Sequence, residues 1–249
     1  MSKDAIKEWW NGVLSWIGKI VGPRYSCYVC GRELENPEYP ICKNCKGDMD
    51  KIGTRVCLKC GTPVNGDTQY CLECYGKSRD FDMARACYVY NSASSKIVSD
   101  LKYKKKQYVA KYMAEEMSSR ITDFGVMPDI IVPVPITEKR LNKRGFNQSE
   151  IIAKELVSLL GGGVVVRKDL VFRDVDRLPQ AGLSRVERLT NLKGVFSVNT
   201  SQRLTGKTVL VIDDVFTTGS TVGEVVKQLR KLKPKKVYVL TFAKTVENK

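Results

Sequence analysis

The sequence contains no histidine. No imidazole is available as a general base near neutral pH, and any metal must be held by sulfur or carboxylate. No apolar run approaches the roughly 18–20 uncharged residues that cross a bilayer as a helix. The N-terminal segment carries Asp4 and Glu8 and has no small-residue cleavage site, so it does not read as a secretory signal. A cytoplasmic location is the expectation. Acidic charge is also scarce: 27 Asp and Glu stand against 42 Lys and Arg, a net charge of +15. The deficit is uneven. Residues 1–80 hold 12 basic against 10 acidic side chains, and residues 81–249 hold 30 against 17. The basic field belongs to the larger C-terminal part and favours phosphate-bearing partners, either a small ligand or nucleic acid. Hydrophobic residues make up 43% of the chain, enough for one substantial core and a small accessory unit.

What the chain has in plenty is paired cysteine. Eight of its nine cysteines form four Cys-x-x-Cys pairs: Cys27/Cys30, Cys42/Cys45, Cys57/Cys60 and Cys71/Cys74. Each such turn presents two thiolates on one side of a tight loop, and two turns complete a tetrahedral four-sulfur site suited to zinc. Eight sulfurs suffice for two ions. A complete four-sulfur site has no open position, so both zincs read as structural. Disulfide or redox dithiols are the competing reading, and no secretory context accompanies them. The simplest pairing is Cys27, Cys30, Cys42 and Cys45 for one ion and Cys57, Cys60, Cys71 and Cys74 for the other; an interleaved pairing is the alternative. Cys27-Tyr-Val-Cys-Gly31 recurs as Cys57-Leu-Lys-Cys-Gly61, so two modules of close to thirty residues stand in tandem. The ninth, Cys87, lies in an apolar segment and reads as a packed small hydrophobe.

Ahead of these modules, Ile6, Trp9, Trp10, Val13, Leu14, Ile17, Ile20 and Val21 follow helical spacing on one face, stopped by Gly22-Pro23. Docking onto protein is the plainer reading of this amphipathic helix, and contact with a membrane surface the other. From residue 86 the pattern changes. Segments 86–90, 130–134, 164–166, 207–212 and 236–243 read as strands, and 94–119, 148–160 and 221–232 as helices. The strands are short of charge and alternate with helices, which argues for a parallel sheet covered on both faces.

One segment carries chemistry. Val209–Ile212 reads as a buried strand running into Asp213 and Asp214, followed by Thr217-Thr-Gly-Ser-Thr221 at the start of a helix. Ligands of open parallel sheets bind beyond the carboxyl ends of strands, and a helix N-terminus offers free N–H groups to a phosphate. The hydroxyls of Thr217, Thr218, Ser220 and Thr221 add donors, and Gly219 permits close backbone approach. Paired carboxylates accept from vicinal ribose hydroxyls and help hold Mg²⁺ near a pyrophosphate. The segment therefore reads as a sugar-phosphate site.

These residues resemble the signature of type I phosphoribosyltransferases that binds 5-phosphoribosyl-1-pyrophosphate (PRPP). Val132-Pro-Val-Pro135, Lys139-Arg-Leu-Asn-Lys-Arg-Gly-Phe-Asn-Gln148, and Leu178-Pro-Gln-Ala-Gly-Leu-Ser-Arg185 with Arg188, Asn191 and Phe196 look like the ComF (ComFC) family. The Cys-rich N-terminal part and Leu101-Lys102-Tyr103 look like it too. The resemblance runs from about Cys27 to Lys244. It implies an α/β, parallel-sheet type I phosphoribosyltransferase fold preceded by a small double zinc-ribbon module. The corresponding division is an N-terminal helix (1–23), tandem four-cysteine zinc modules (24–80) and a phosphoribosyltransferase-like domain (81–249). By motif, Asp213 and Asp214 hold the ribose hydroxyls and are the catalytic candidates, and Thr217–Thr221 wrap the 5-phosphate. Pro135, Ile136 and Thr137 form the pyrophosphate loop, with Arg140 and Arg144 as its cations. The stretch containing Arg173, Gln180, Arg185 and Arg188 supplies a mobile cover. Mg²⁺ accompanies PRPP.

The resemblance further implies a role in natural competence, with single-stranded DNA and other DNA-uptake proteins as candidate partners. Lys102, Tyr103, Lys104, Lys105, Lys106 and Lys111 mix cations with an aromatic; read as one helix, they are a DNA-binding candidate with lysines on phosphates and tyrosine on bases. The competing reading is a solvated basic face with Tyr108 and Tyr112 buried. Two function classes stand: an enzyme transferring phosphoribose to an acceptor that the sequence does not reveal, and a DNA-handling protein whose PRPP site is regulatory or structural.

Overall fold

The computed structural model describes residues 25–34, 40–104, 106–174 and 194–246. The expected helix at 3–21, Lys105, and the cover residues Gln180, Arg185 and Arg188 lie outside them. Backbone contacts divide the chain into two units, Met1–Lys46 and Gly47–Lys249. The boundary expected near residue 80 falls inside the second unit, because Cys57, Cys60 and Cys74 pack in one apolar cluster with Phe81, Ala84 and the sheet residues Val132, Val209 and Val239.

The tandem repeat in sequence is also a repeat in hydrogen bonding. In the first knuckle Cys27 N donates to Arg32 O and Gly31 N to Cys27 O; in the second, Cys57 N donates to Thr62 O and Gly61 N to Cys57 O. Gly61 has φ +73°, and a Cβ there would stand 2.7 Å from the Ala84 carbonyl oxygen. Only glycine lets this turn lie against the neighbouring strand. The short helix α1 (Lys43–Gly47) follows the first pair of knuckle cysteines and carries Cys45.

The second unit is built on β1 (Met83–Val89), α2 (Ser92–Tyr103), α3 (Val109–Ser118), β2 (Ile130–Pro133), α4 (Glu138–Arg144), α5 (Gln148–Leu160), β3 (Val165–Val166), β4 (Val171–Arg173), β5 (Phe196–Val198), β6 (Thr208–Phe216), α6 (Ser220–Arg230) and β7 (Lys236–Lys244). Strands β1-β7-β6-β2-β3 form one sheet in that order, and every pairing is parallel. Central β6 is buried at every position but Val215, as a strand covered on both faces must be. Val209 and Val211 meet Val222, Val225, Val226 and Leu229 of α6 in the apolar cluster. A small antiparallel hairpin, β4 with β5, stands apart from the sheet.

Three expectations are corrected. The helix read over 94–119 is two helices. Asp100, fully buried, gathers Lys96, Lys104 and Lys106 around its carboxylate, and its carbonyl accepts from both Lys104 N and Lys106 N. These bonds close α2 and turn the chain. Tyr108 is consequently 53% exposed, whereas Tyr112 is buried. Second, β6 runs four residues past Ile212, because β7 offers ladder partners as far as Phe216↔Lys244; Asp213 and Asp214 therefore sit within the strand. Third, Arg173 belongs to β4, paired with Phe196, and not to a loop. Helix α4 and the hairpin escaped the sequence reading. The helix exposes every side chain or half-buries it, so it has no apolar stripe, and the strands are too short for alternation to show.

Candidate functional site

Two clusters of chemically competent side chains emerge among the described residues. The first is sulfur. Cys27, Cys30, Cys42 and Cys45 form one group and Cys57, Cys60, Cys71 and Cys74 another, with the sulfurs of each group within 4.8 Å of one another. The pairing is the sequential one. Zn–S bonds of about 2.3 Å put the edges of a four-sulfur tetrahedron at roughly 3.8 Å. The Cys30–Cys42 sulfurs are 3.8 Å apart and the Cys60–Cys71 sulfurs 3.6 Å, far beyond the ~2.05 Å of a disulfide. The donor sets fit structural zinc. Cys87 belongs to neither group and is fully buried; burial pushes its thiol up, so it stays protonated and inert.

The second cluster lies at the carboxyl ends of β2 and β6. These strands are neighbours, with Pro133 opposite Ile212, and Val134 N donates to Ile212 O at 2.9 Å. The turn Pro135–Thr137 that follows β2 and the acids Asp213 and Asp214 in the last part of β6 thus lie at the same edge of the sheet. Asp213 Oδ1 accepts from Ser149 Oγ at 3.0 Å and from Asp214 N at 2.9 Å. Burial, then the charge of Asp214, push the Asp213 carboxyl up to about 7. Asp214 Oδ1 is paired with Lys102 Nζ at 2.8 Å, while its Oδ2 is buried with no hydrogen-bond partner among the described residues. An orphaned carboxylate oxygen in such a place is an acceptor waiting for a donor or a cation. Burial alone would lower the pKa of Lys102, but the Asp214 carboxylate overrides it and the net displacement is upward. Lys102 is therefore a cation committed to the Asp214 carboxylate.

Beyond the acids, Thr217 is exposed and Thr218 half-buried. Thr218 Oγ1 lies 2.6 Å from Ser220 Oγ and accepts from Ser220 N at 3.3 Å. Gly219 caps α6 with φ +78°, Gly223 N donates to its carbonyl, and Thr221 lies in the first turn of the helix. A Cβ on Gly219 would meet the Phe216 ring at 2.5 Å. Gly219→Ala is expected to lose about 1–3 kcal/mol from the backbone conformation alone, with the ring clash in addition. Gly223, in the same helix with nothing within 4 Å of its would-be Cβ, should instead gain about 0.5–1 kcal/mol on conversion to alanine. Thermal unfolding of the two variants checks the contrast, and equal melting temperatures would contradict it.

Thr137 caps α4, its hydroxyl accepting from Arg140 N at 3.4 Å. Arg144 donates to Gln148 Oε1 at 2.6 Å and lies over the exposed Tyr103 ring, 5.4 Å from its centre. A cleft of about 620 Å³ opens beside the Pro135–Thr137 turn, walled across by Lys168, Phe172 and Asp174 of the hairpin region. Arg173, on the same hairpin, is over the ring of Phe196. Neither Asp213 nor Asp214 lines this cleft. Of the remaining basic residues, Lys104 and Lys106 are held by Asp100, and Lys111 is exposed. Sequence reasoning missed Ser149, the Lys102–Asp214 pair and the cleft. Only the acids had a readable signal; their partners come from segments 64 and 112 residues away.

No helix among the described residues is long and apolar enough to cross a membrane. The sequence model of the double zinc ribbon domain matches residues 18–75, and that of the phosphoribosyl transferase domain matches residues 103–248. Three relatives match across most of the chain. Competence protein F of Haemophilus influenzae is 26% identical over 226 residues, covering 88% of this chain and 97% of the relative. DNA utilization protein YhgH of Escherichia coli is 28% identical over 208 residues, covering 82% and 89%. Competence protein ComFC of Bacillus subtilis is 26% identical over 196 residues, covering 76% and 77%. With its parallel sheet, its two four-cysteine centres and a phosphoribosyl transferase match over more than half its length, the chain belongs to the ComF family of phosphoribosyltransferase-like proteins.

Proposed function

We propose that this protein binds PRPP with Mg²⁺ at the carboxyl end of β6 and acts in the handling of incoming single-stranded DNA during natural transformation. The observation that carries the first half is the pair of buried acids: one titrates near neutrality and the other has an unpartnered oxygen, and both adjoin a hydroxyl-lined turn at the start of α6. In this reading the vicinal ribose hydroxyls donate to Asp213 and Asp214. The N–H groups of the turn and the hydroxyls of Thr217, Thr218, Ser220 and Thr221 donate to the 5-phosphate. Pro135–Thr137 adjoin the pyrophosphate, with Arg140 and Arg144 supplying positive charge. Mg²⁺ bound with the ligand would offset the pyrophosphate charge, and carboxylates are suitable ligands for that ion. The second half rests on the names of the relatives and on the basic C-terminal part. The phosphoribosyltransferase-like domain over 81–249 is where both activities are assigned.

Calorimetric titration with PRPP tests the site: Mg²⁺-dependent binding is expected, and no binding with or without Mg²⁺ refutes it. Incubating PRPP with a panel of bases and amines then separates the two function classes. A phosphoribosylated product identifies a transferase; PRPP binding without product identifies a regulatory or structural site.

The DNA prediction follows from the exposed groups. Affinity for single strands should fall with salt at a log–log slope of about −0.7 per contacted phosphate. Lys111→Gln should make the slope shallower by about that amount. Tyr103→Ala should cost about 1–3 kcal/mol with the slope unchanged, as loss of a base stack does. Wild-type protein with no salt-sensitive binding would refute the DNA reading.

A further inference from the structure

The second four-cysteine centre is joined to the 217–220 turn by Arg79, and Lys244 holds the Phe216 ring beside that turn. Glu73 sits between the ligand candidates Cys71 and Cys74. Arg79 reaches Glu73 Oε2 with Nη2 at 3.5 Å and the Thr218 carbonyl with Nη1 at 3.4 Å. Lys244, only 3% exposed, closes β7 and places its ammonium 3.7 Å from the centre of the Phe216 ring. That ring is the group against which Gly219 is packed, and it meets Phe81 edge-on at 6.1 Å.

Charge explains why cations stand there. A zinc ion with four thiolates carries a net −2, and a site of that charge next to an apolar core needs compensating cations. Arg79 is one such cation, shared with Glu73 between two of the ligand candidates. Geometry explains what Arg79 does at its other end and what Lys244 adds. In a trans peptide the C=O and N–H point in opposite directions. With the Thr218 carbonyl turned to Arg79, the Gly219 N–H is turned away from that guanidinium, the orientation an anion opposite Arg79 requires. The Lys244 ammonium holds the Phe216 ring by its face, and the ring in turn limits where Gly219 can lie.

We infer that Arg79 is a positioning residue of the 217–220 turn, through which the metal centre at Cys57, Cys60, Cys71 and Cys74 sets the affinity of that turn for the phosphate of its ligand. This deepens the PRPP reading and rests on it. A coupling between two sites is reciprocal: whatever zinc does for PRPP, PRPP does for zinc. Couplings of this kind change affinity by roughly 5–150-fold.

The experiment uses the full zinc-loaded chain. Calorimetry gives PRPP affinity for wild type, Arg79→Ala and Arg79→Lys, with zinc content measured in each. The Ala variant is expected to keep both zinc ions and lose roughly 5–150-fold in affinity, and the Lys variant, which retains one cationic donor, to recover part of it. Equilibrium competition with a chelator supplies the second readout. In Cys30→Ser, where only the second centre keeps four thiolates, saturating PRPP should tighten zinc retention by the same factor, and adding Arg79→Ala should erase the effect. A bridge that merely held the fold together would leave no PRPP-dependent change in zinc retention. Unchanged affinity in Arg79→Ala, or zinc retention indifferent to PRPP, overturns the inference while leaving the PRPP site standing. Wild-type protein without PRPP affinity overturns both.

Discussion

Asp213→Asn is expected to make the protein more stable above pH 7 and, in the same molecule, to cut PRPP affinity by on the order of a hundredfold. The stability half follows from linkage. The Asp213 carboxyl is raised to about 7 in the folded chain, by burial and then by the Asp214 charge, against about 3.9 when unfolded. Between those values the folded state holds a proton that the unfolded state has lost, so stability falls as pH rises through the window and reaches its low plateau above it. Asparagine keeps an oxygen to accept from Ser149 Oγ and Asp214 N and has no proton to lose. The variant's melting temperature should therefore exceed that of the wild type by several degrees at pH 8, at about 2–4 °C per kcal/mol for a chain of this size. Near pH 4 the two should coincide.

The binding half follows from the same carboxyl. Charge-assisted hydrogen bonds are worth about 1.5–3 kcal/mol each, and tenfold in affinity is about 1.4 kcal/mol, so one or two of them account for the loss. Because the ligand-competent carboxyl is ionised, wild-type affinity should rise with pH up to about 7, with release of one proton on binding. Calorimetry in buffers of different ionisation enthalpy reads that proton. Affinity indifferent to pH, or undiminished in Asp213→Asn, would remove Asp213 from the site.

The second large effect is expected at sulfur. Cys60→Ser should reduce zinc from two ions per chain to one and lower the melting temperature by more than about 10 °C. Structural zinc contributes apparent binding free energies of about 10–16 kcal/mol in small zinc domains, as large as the whole stability of a typical fold. The size of the effect here comes from location. Cys57, Cys60 and Cys74 are buried in the apolar cluster that includes Phe81, Val132, Val209 and Val239, so the centre supports the main core and not a separate appendage. Cys87→Ser is the control. It is as deeply buried as Cys57 but has no partner sulfurs. It should cost about 1–3 kcal/mol for hiding a hydroxyl and leave both ions in place. Two zinc ions retained in Cys60→Ser would refute the ligand assignment.

Much of this protein was legible locally. The Cys-x-x-Cys turns named their chemistry, because a two-residue spacing by itself brings two sulfurs to one side of a loop. Charge-poor segments such as Val209–Ile212 announced a parallel sheet, and Asn147 and Gly161 bracket helix α5 at the bounds the sequence sets. Asp213, Asp214 and the 217–221 turn could be singled out because strand, acids, turn and helix are contiguous in the chain. The resemblance to the ComF family lay in contiguous motifs as well.

What only the tertiary structure decided are contacts between residues far apart in sequence, where no local spacing carries information. Lys102 reads as one of a run of surface lysines, yet it is committed to Asp214 across 112 residues. The break after Tyr103 depends on burying Asp100, whose carboxyl is held down to about 2 by Lys96, Lys106 and Lys104 against the opposing cost of burial; propensity alone favours continuing the helix. The carboxyl ends of β2 and β6 meet only because a parallel sheet aligns them. The second zinc module joins the α/β core because its cysteines bury apolar surface against Phe81 and the sheet. The bridge from Glu73 through Arg79 to Thr218 spans 139 residues at its longer step. In sequence each of these is an ordinary charged or apolar residue; its role is set by the partner that folding brings to it.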